Sequence, residues 1–144
     1  MKLAFYEVED WQKNILKKTF KRHKIYFNNK KLTKRNVVKD ADVLAVFIYS
    51  KVDKEILDIM PKLKLVTTMS TGFDHIDIEE CKKRNITICN VPTYGENTVA
   101  EHTFALILSI TRKLPEAINK TRAGDFRLDG LRGFDLKGKT LGLV

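Results

Sequence analysis

Short apolar runs alternate along the chain with stretches in which apolar residues recur at helical spacing. The runs Lys2 to Tyr6, Lys24 to Phe27, Asp42 to Phe47, Leu63 to Thr68 and Ile86 to Cys89 have the length and composition of strands. Between the first two, Trp11, Ile15, Leu16 and Phe20 fall at helix spacing, with Asp10 placed to cap the start. Asp53 stands before Glu55-Ile56-Leu57 and predicts a short helix that Pro61 ends. Asp77-Ile78-Glu79-Glu80 combines a cap with an acidic first turn, which the positive end of the helix dipole favours.

Strands that alternate with helices pair in parallel, because each helix carries the chain back to the same edge of the sheet. By Asn90 the count is five strands and about four helices. The expected fold is therefore α/β, a flavodoxin-like, doubly wound parallel five-stranded sheet. The rest behaves differently. Thr98-Val99-Ala100-Glu101 matches a capping box and predicts the start of a long helix. Its next turns, Phe104-Ala105-Leu106-Ile107-Leu108, are apolar on consecutive positions, so they surround the helix instead of forming one stripe. Such a helix needs cover on several sides, from another domain or another subunit. Pro115 kinks or restarts it, and Gly124 is a plausible stop. After the loop Asp125 to Lys137, the last five residues, Thr140-Leu141-Gly142-Leu143-Val144, read as one further strand with no crossover helix behind it. The expected division is 1–97 as a first domain, 98–139 as interdomain or dimerisation helices and loop, and 140–144 as the start of a truncated second domain.

Composition changes this picture little. A hydrophobic content of 43% suffices for a packed core. The net charge of +9 invites a nucleic-acid reading, but the lysines and arginines from Lys13 to Arg35 are spread over solvent-facing positions and no basic run is interleaved with aromatics. Neither nucleic acid nor membrane is expected as a partner, since no apolar stretch approaches membrane-spanning length. Met1 to Tyr6 is too short an apolar run for a signal peptide, and a cytoplasmic protein is expected. Cys81 and Cys89 lack metal-site spacing and are expected as two buried or half-buried thiols, with no metal bound.

Three stretches carry a family resemblance: Ser70-Thr71-Gly72-Phe73-Asp74-His75-Ile76-Asp77, Asn90 through Thr103, and Leu136 through Val144. In this order and spacing they resemble the D-isomer-specific 2-hydroxyacid dehydrogenases, most closely the D-lactate dehydrogenase-like branch. The resemblance runs from residue 1 to 144 and covers roughly the first 45% of a family member of two ordinary domains. It implies two flavodoxin-like or Rossmann-like domains with a cleft between them. The first supplies part of the substrate pocket and the second binds NAD, for reversible hydride exchange with a 2-hydroxy or 2-keto acid.

By the same resemblance, Thr71 and Gly72 contact the substrate carboxylate, with Thr71 also near the cofactor. Glycine suits that task, because the backbone can be approached closely and its amide can donate; the residue pattern alone favours a plain turn, and the surrounding motif reverses that. Tyr94 reaches the substrate in lactate-type members; as a loop aromatic it could also be a core or surface tyrosine. Val99 and Thr103 match positions near the cofactor; ordinary helix packing is the alternative for both and the favoured reading for Val99. The adjacent Glu101 and His102 do not form an acid–base dyad, because neighbours on a helix point about a hundred degrees apart. His102 is therefore read as structural, and His75 and His23 are weaker candidates still.

No GxGxxG turn follows Leu143-Val144, so the first strand of a truncated Rossmann domain is expected there, with NAD affinity weak or absent. The expectation is thus the N-terminal part of an NAD-dependent D-2-hydroxyacid dehydrogenase, inactive by itself, with a small 2-hydroxy or 2-keto acid as ligand and a homodimer through the 98–114 helix. The alternative is a non-catalytic binding or association module of the same fold. A flavodoxin or response-regulator reading fails on residues: Glu7-Val8-Glu9-Asp10 is no FMN phosphate loop, and Phe47-Ile48-Tyr49 holds no phosphoacceptor aspartate.

Overall fold

The computed structural model describes residues 1–143, in two units, Met1–Tyr94 and Gly95–Val144. The first unit contains β1 (Lys2–Tyr6), α1 (Asp10–Thr19), β2 (Lys24–Asn28), β3 (Val43–Val46), α2 (Lys54–Asp58), β4 (Leu65–Thr68), α3 (Ile78–Lys83) and β5 (Thr87–Cys89). All strand pairs are parallel, in the order β2-β1-β3-β4-β5. Each of the five strands predicted before Asn90 is present, with ends moved by at most two residues. The winding reverses at β1, which pairs with β2 on one side and β3 on the other. That reversal opens a crevice at the carboxyl ends of the strands.

Side-chain alternation along each strand produces two separate cores. Leu3 and Phe5 of β1, Val43 and Ala45 of β3 and the half-buried Ile25 and Phe27 of β2 pack on one face, where Leu16 of α1 and Phe20 cover them. Ala4, Tyr6, Leu44, Val46 and Val66 pack on the other, under Ile56 and Leu57 of α2 and Cys81 of α3. Both faces are occupied, so the central strands read as continuous apolar runs.

In the first unit the helix caps follow the sequence in two cases and depart from it in one. Asp53 and Asp77 accept from the amides of Ile56 and Glu80 at 3.1 and 2.9 Å. At α1 the cap is Glu9 and not Asp10: the Glu9 amide donates to Gln12 Oε1 at 2.8 Å, a reciprocal arrangement that places Asp10 in the first turn. Trp11 and Ile15, expected on the packed face of α1, are exposed, and only the Leu16 and Phe20 half of the stripe reaches the core. Cys81 is buried, and burial pushes its thiol pKa up. Cys89, expected at least half-buried, is exposed because the edge strand β5 has three residues and a neighbour on one side only.

The second unit holds α4 (Glu96–Thr111) and α5 (Leu114–Arg122). The long helix starts two residues before the predicted Thr98, with Gly95 at the cap position and Glu96 favourably in the first turn, so the Thr98–Glu101 capping box does not form. Lys113, at φ 55°, makes the break, and Pro115 lies in the first turn of α5, where its missing amide costs no hydrogen bond. Gly124, at φ 73°, ends α5 as expected. Gly133 is required by packing: a Cβ there would lie 1.9 Å from the Thr111 carbonyl oxygen, to which the Phe134 amide donates. Val99, Phe104, Leu106, Leu108 and Ile110 of α4 are all exposed within this chain. Thr140–Leu143 have no regular secondary structure, so the expected strand is not formed over them, since a strand needs a neighbour to complete its hydrogen bonds; Val144 lies outside the described residues.

The buried Tyr6 hydroxyl donates to the Asn36 carbonyl at 2.8 Å and accepts from the Val38 amide at 3.0 Å, tying the loop before β3 to β1. Burial raises its pKa to about 12. The folded protein thus favours the neutral phenol, whose contribution is complete below the ordinary value of 10 and is lost as pH climbs through 12. Tyr6→Phe is expected to cost about 1–3 kcal/mol in denaturant unfolding at pH 7. The gap between wild type and variant should narrow between pH 10 and pH 12.

Candidate functional site

At the carboxyl edge, the loops leaving β4 and β5 are sewn together. The Val91 amide donates to the Ser70 carbonyl at 3.1 Å and Asn90 Nδ2 to the Thr71 carbonyl at 2.9 Å. Ser70 Oγ donates to the Gly72 carbonyl at 2.8 Å, and the Thr71 hydroxyl donates across to the Val91 carbonyl at 3.0 Å. Three successive carbonyls, those of Ser70, Thr71 and Gly72, are therefore committed to protein donors.

That commitment fixes the amides. All peptide bonds among the described residues are trans, so each N–H lies on the edge opposite the preceding carbonyl. The amides of Thr71, Gly72 and Phe73 consequently face away from the β5 exit and from Ser70. Among the described residues none of the three has an intramolecular acceptor. Thr71 and Gly72 are exposed, and a Cβ at Gly72 would meet nothing within 4 Å. Gly72 is needed here neither for backbone conformation nor for internal packing; its lack of a side chain leaves the amides open to approach. Adjacent outward amides make a concavity suited to an anion.

Of the other residues singled out in the sequence, Tyr94 follows the β5 exit and is exposed at 62%. Val99 and Thr103 lie on α4 in the second unit, both exposed, and the Thr103 hydroxyl donates back to the Val99 carbonyl at 2.8 Å. Glu101 and His102 are exposed and share no hydrogen bond. No cluster of three His, Cys, Asp or Glu capable of holding a metal occurs among the described residues, and no helix there is long and apolar enough to cross a membrane.

A dinucleotide fits this chain's residues poorly. Pyrophosphate binding calls for a glycine-rich turn leading into a helix N-terminus, whereas α4 opens with the carboxylate of Glu96, which repels phosphate. The hydroxyl protons of Thr71 and Thr103 are already donated to backbone carbonyls.

One feature of this edge escapes the sequence. Glu7, at φ 59° just past β1, accepts from the amides of Phe47 and Tyr49 at 3.2 and 2.9 Å and from the Ser50 hydroxyl, while Ser50 Oγ accepts from the Leu32 amide. The carboxylate holds the loop after β3 against β1 at the winding reversal. It borders an open cleft of about 710 Å³ that Tyr49, Lys31 and Asp10 also line. Its only sequence signal is an acidic residue directly after a buried strand.

The D-isomer specific 2-hydroxyacid dehydrogenase catalytic-domain model matches residues 3–129. The chain belongs to this family. Among relatives of the dehydrogenase family, a 2-hydroxyacid dehydrogenase homolog 1 from Schizosaccharomyces pombe is 35% identical, aligned over the whole chain and 45% of the relative. A glyoxylate reductase from Thermofilum pendens is 42% identical over 74% of the chain and 33% of the relative. The structure of a D-lactate dehydrogenase from Aquifex aeolicus, complexed with NAD and lactic acid, superimposes with a TM-score of 0.88 at 33% identity, covering 93% of this chain and 41% of that one. The chain thus spans under half the length of the dehydrogenases it matches, and it shares the fold of the part of the Aquifex aeolicus enzyme on which it superimposes.

Glu7→Gln exchanges one of two acceptor oxygens for an amino group facing donors. It is expected to destabilise the protein by about 1–3 kcal/mol in urea unfolding, the range for hydrogen bonds to a charged acceptor that are partly shielded from water.

Proposed function

We propose that this chain forms the substrate-carboxylate side of an NAD-dependent D-2-hydroxyacid dehydrogenase that reversibly reduces D-lactate-type 2-keto acids. The observation that carries this reading is the turn at residues 70–73, whose carbonyls are all bound inward and whose amides are all free. A carboxylate fits such amides better than a neutral group does, because hydrogen bonds to an ionised acceptor are roughly twice as strong. Thr71 and Gly72 hold the carboxylate, and Tyr94 reaches the substrate from the neighbouring loop. Thr71, Val99 and Thr103 lie toward the NAD. In this reading residues 1–97 are the substrate domain, 98–139 the interdomain and dimerisation segment, and 140–144 the start of the nucleotide-binding domain.

The nicotinamide supplies the hydride, and no step of its transfer is assigned to residues of this chain. Among the described residues no glycine-rich turn leads into a helix N-terminus as a pyrophosphate cradle, and neither an arginine nor a histidine stands among the hydrogen-bonded groups of the 70–73 turn except His75 beneath it. The 144-residue chain is accordingly inactive by itself with NADH and pyruvate, and binds the dinucleotide weakly or not at all. Its two free thiols suit the reducing cytoplasm. The apolar residues exposed around α4 favour a homodimer through the 98–114 helix.

Oxalate, a non-reacting dicarboxylate, tests the turn directly. Titration should move the amide resonances of Thr71, Gly72 and Phe73. Gly72→Val, which has open space for its side chain, should keep the fold yet weaken binding at least about tenfold, the loss of one or two charge-assisted hydrogen bonds. Unmoved resonances, or equal affinity in the variant, would remove the carboxylate reading. For association, replacing Leu106 and Ile107 together by glutamate should convert a sedimenting dimer to monomer; an unchanged profile would exclude this helix as the contact.

A further inference from the structure

Beneath the 70–73 turn runs a chain of hydrogen bonds that leaves no choice of direction. Ser70 Oγ has a single proton and spends it on the Gly72 carbonyl, 2.8 Å away. Its contact with Thr68 Oγ1, at 2.5 Å, must therefore be one in which Thr68 donates. Thr68 then has no proton left for His75 Nε2, at 3.1 Å, so the imidazole donates. His75 is thereby fixed with a hydrogen on Nε2, and among the described residues Nδ1 has no partner that would select otherwise. Thr68 and Ser70 are buried at 0% and 3% exposure, so water does not readily replace a missing link. The histidine is itself anchored, because its carbonyl accepts from the Val52 amide at 2.8 Å and Ile76 beside it is buried.

We propose that His75 is a positioning residue for the anion-taking turn. It acts from Nε2–H through the Thr68 and Ser70 hydroxyls to hold the Gly72 carbonyl inward, and so aims the Phe73 amide outward. The purpose of this arrangement rests on the carboxylate reading of the turn; its geometry does not. A histidine that merely filled space would leave its tautomer independent of Ser70. One that works through the relay is coupled to it, since removing Ser70 Oγ frees the Thr68 proton to bond Nε2 and lets the ring carry its hydrogen on Nδ1.

The experiment uses long-range proton–nitrogen spectra of the whole chain, recorded where the imidazole is neutral. Wild type should show the Nε2–H form of His75. Ser70→Ala should move the tautomer ratio toward Nδ1–H by about fivefold, the equivalent of one net hydrogen bond. His75→Leu should shift the Gly72 and Phe73 amide resonances and weaken oxalate binding about fivefold, while His75→Gln, whose side-chain amide can still donate to Thr68, restores both. An Nδ1–H ring in wild type, a ratio unmoved by Ser70→Ala, or identical turn resonances in His75→Leu and wild type would each overturn the proposal. Wild-type oxalate binding is scored separately, so the carboxylate reading and the relay fail independently.

Discussion

A trans peptide carries its carbonyl and its amide on opposite edges, so a segment whose carbonyls are all satisfied from within must present its amides outward. That constraint governs residues 70–73. Parallel pairing of β4 with β5 brings both strands out at the same edge in register, with Thr67 beside Cys89. Asn90 and Val91 are then placed to bond the carbonyls of Thr71 and Ser70. Nothing in the turn is strained: Gly72 does not take a left-handed φ, and the unsatisfied amides are exposed, where water compensates them.

The same edge contains its own precedent. After β3, two successive-loop amides, those of Phe47 and Tyr49, also point out of the sheet, but there an internal carboxylate, Glu7, accepts from them. The two loops differ in what meets their amides. The loop after β3 has a carboxylate just past the neighbouring strand β1, whereas glycine at 72 leaves the corresponding position in the other loop vacant of any side chain. Glu7 adopts a left-handed φ to reach its donors, a conformation costing a residue with a Cβ about 1–2 kcal/mol, and three hydrogen bonds to one carboxylate offset it.

The sheet was legible because its signal is redundant. Leu3, Phe5, Val43 and Ala45 face one core while Ala4, Tyr6, Leu44 and Val46 face the other, and so β3 is apolar throughout and β1 is apolar from Leu3 to Tyr6. The caps at Asp53 and Asp77 were legible for a local reason, the reach of a short carboxylate to an amide three residues on. Thr71 and Gly72 were singled out by their motif and not by pattern, since a glycine after a strand looks the same whether it makes a turn or opens a site. Glu7 and His75 were missed because their roles are built from partners 40 and more, or seven, residues away, which periodicity does not register. Thr98–Glu101 misled in the opposite sense: a good local motif lost to an earlier start at Gly95, where no competing side-chain cap was needed.

The apolar girdle of α4 follows from a requirement unlike that of the sheet. Phe104, Leu106, Leu108 and Ile110 stand at intervals of about two hundred degrees, so covering Phe104 and Leu108 on one side leaves Leu106 and Ile110 on the other. One flat partner cannot bury both sets. A helix of this kind is stable in water only when enclosed by at least two surfaces, and Glu96 at its start is the sole charge before Glu101 to resist that enclosure. The part of the family's architecture that this chain holds is therefore of two kinds: a sheet complete in its own cores, and a helix whose sequence is written for surroundings that one neighbour does not fill.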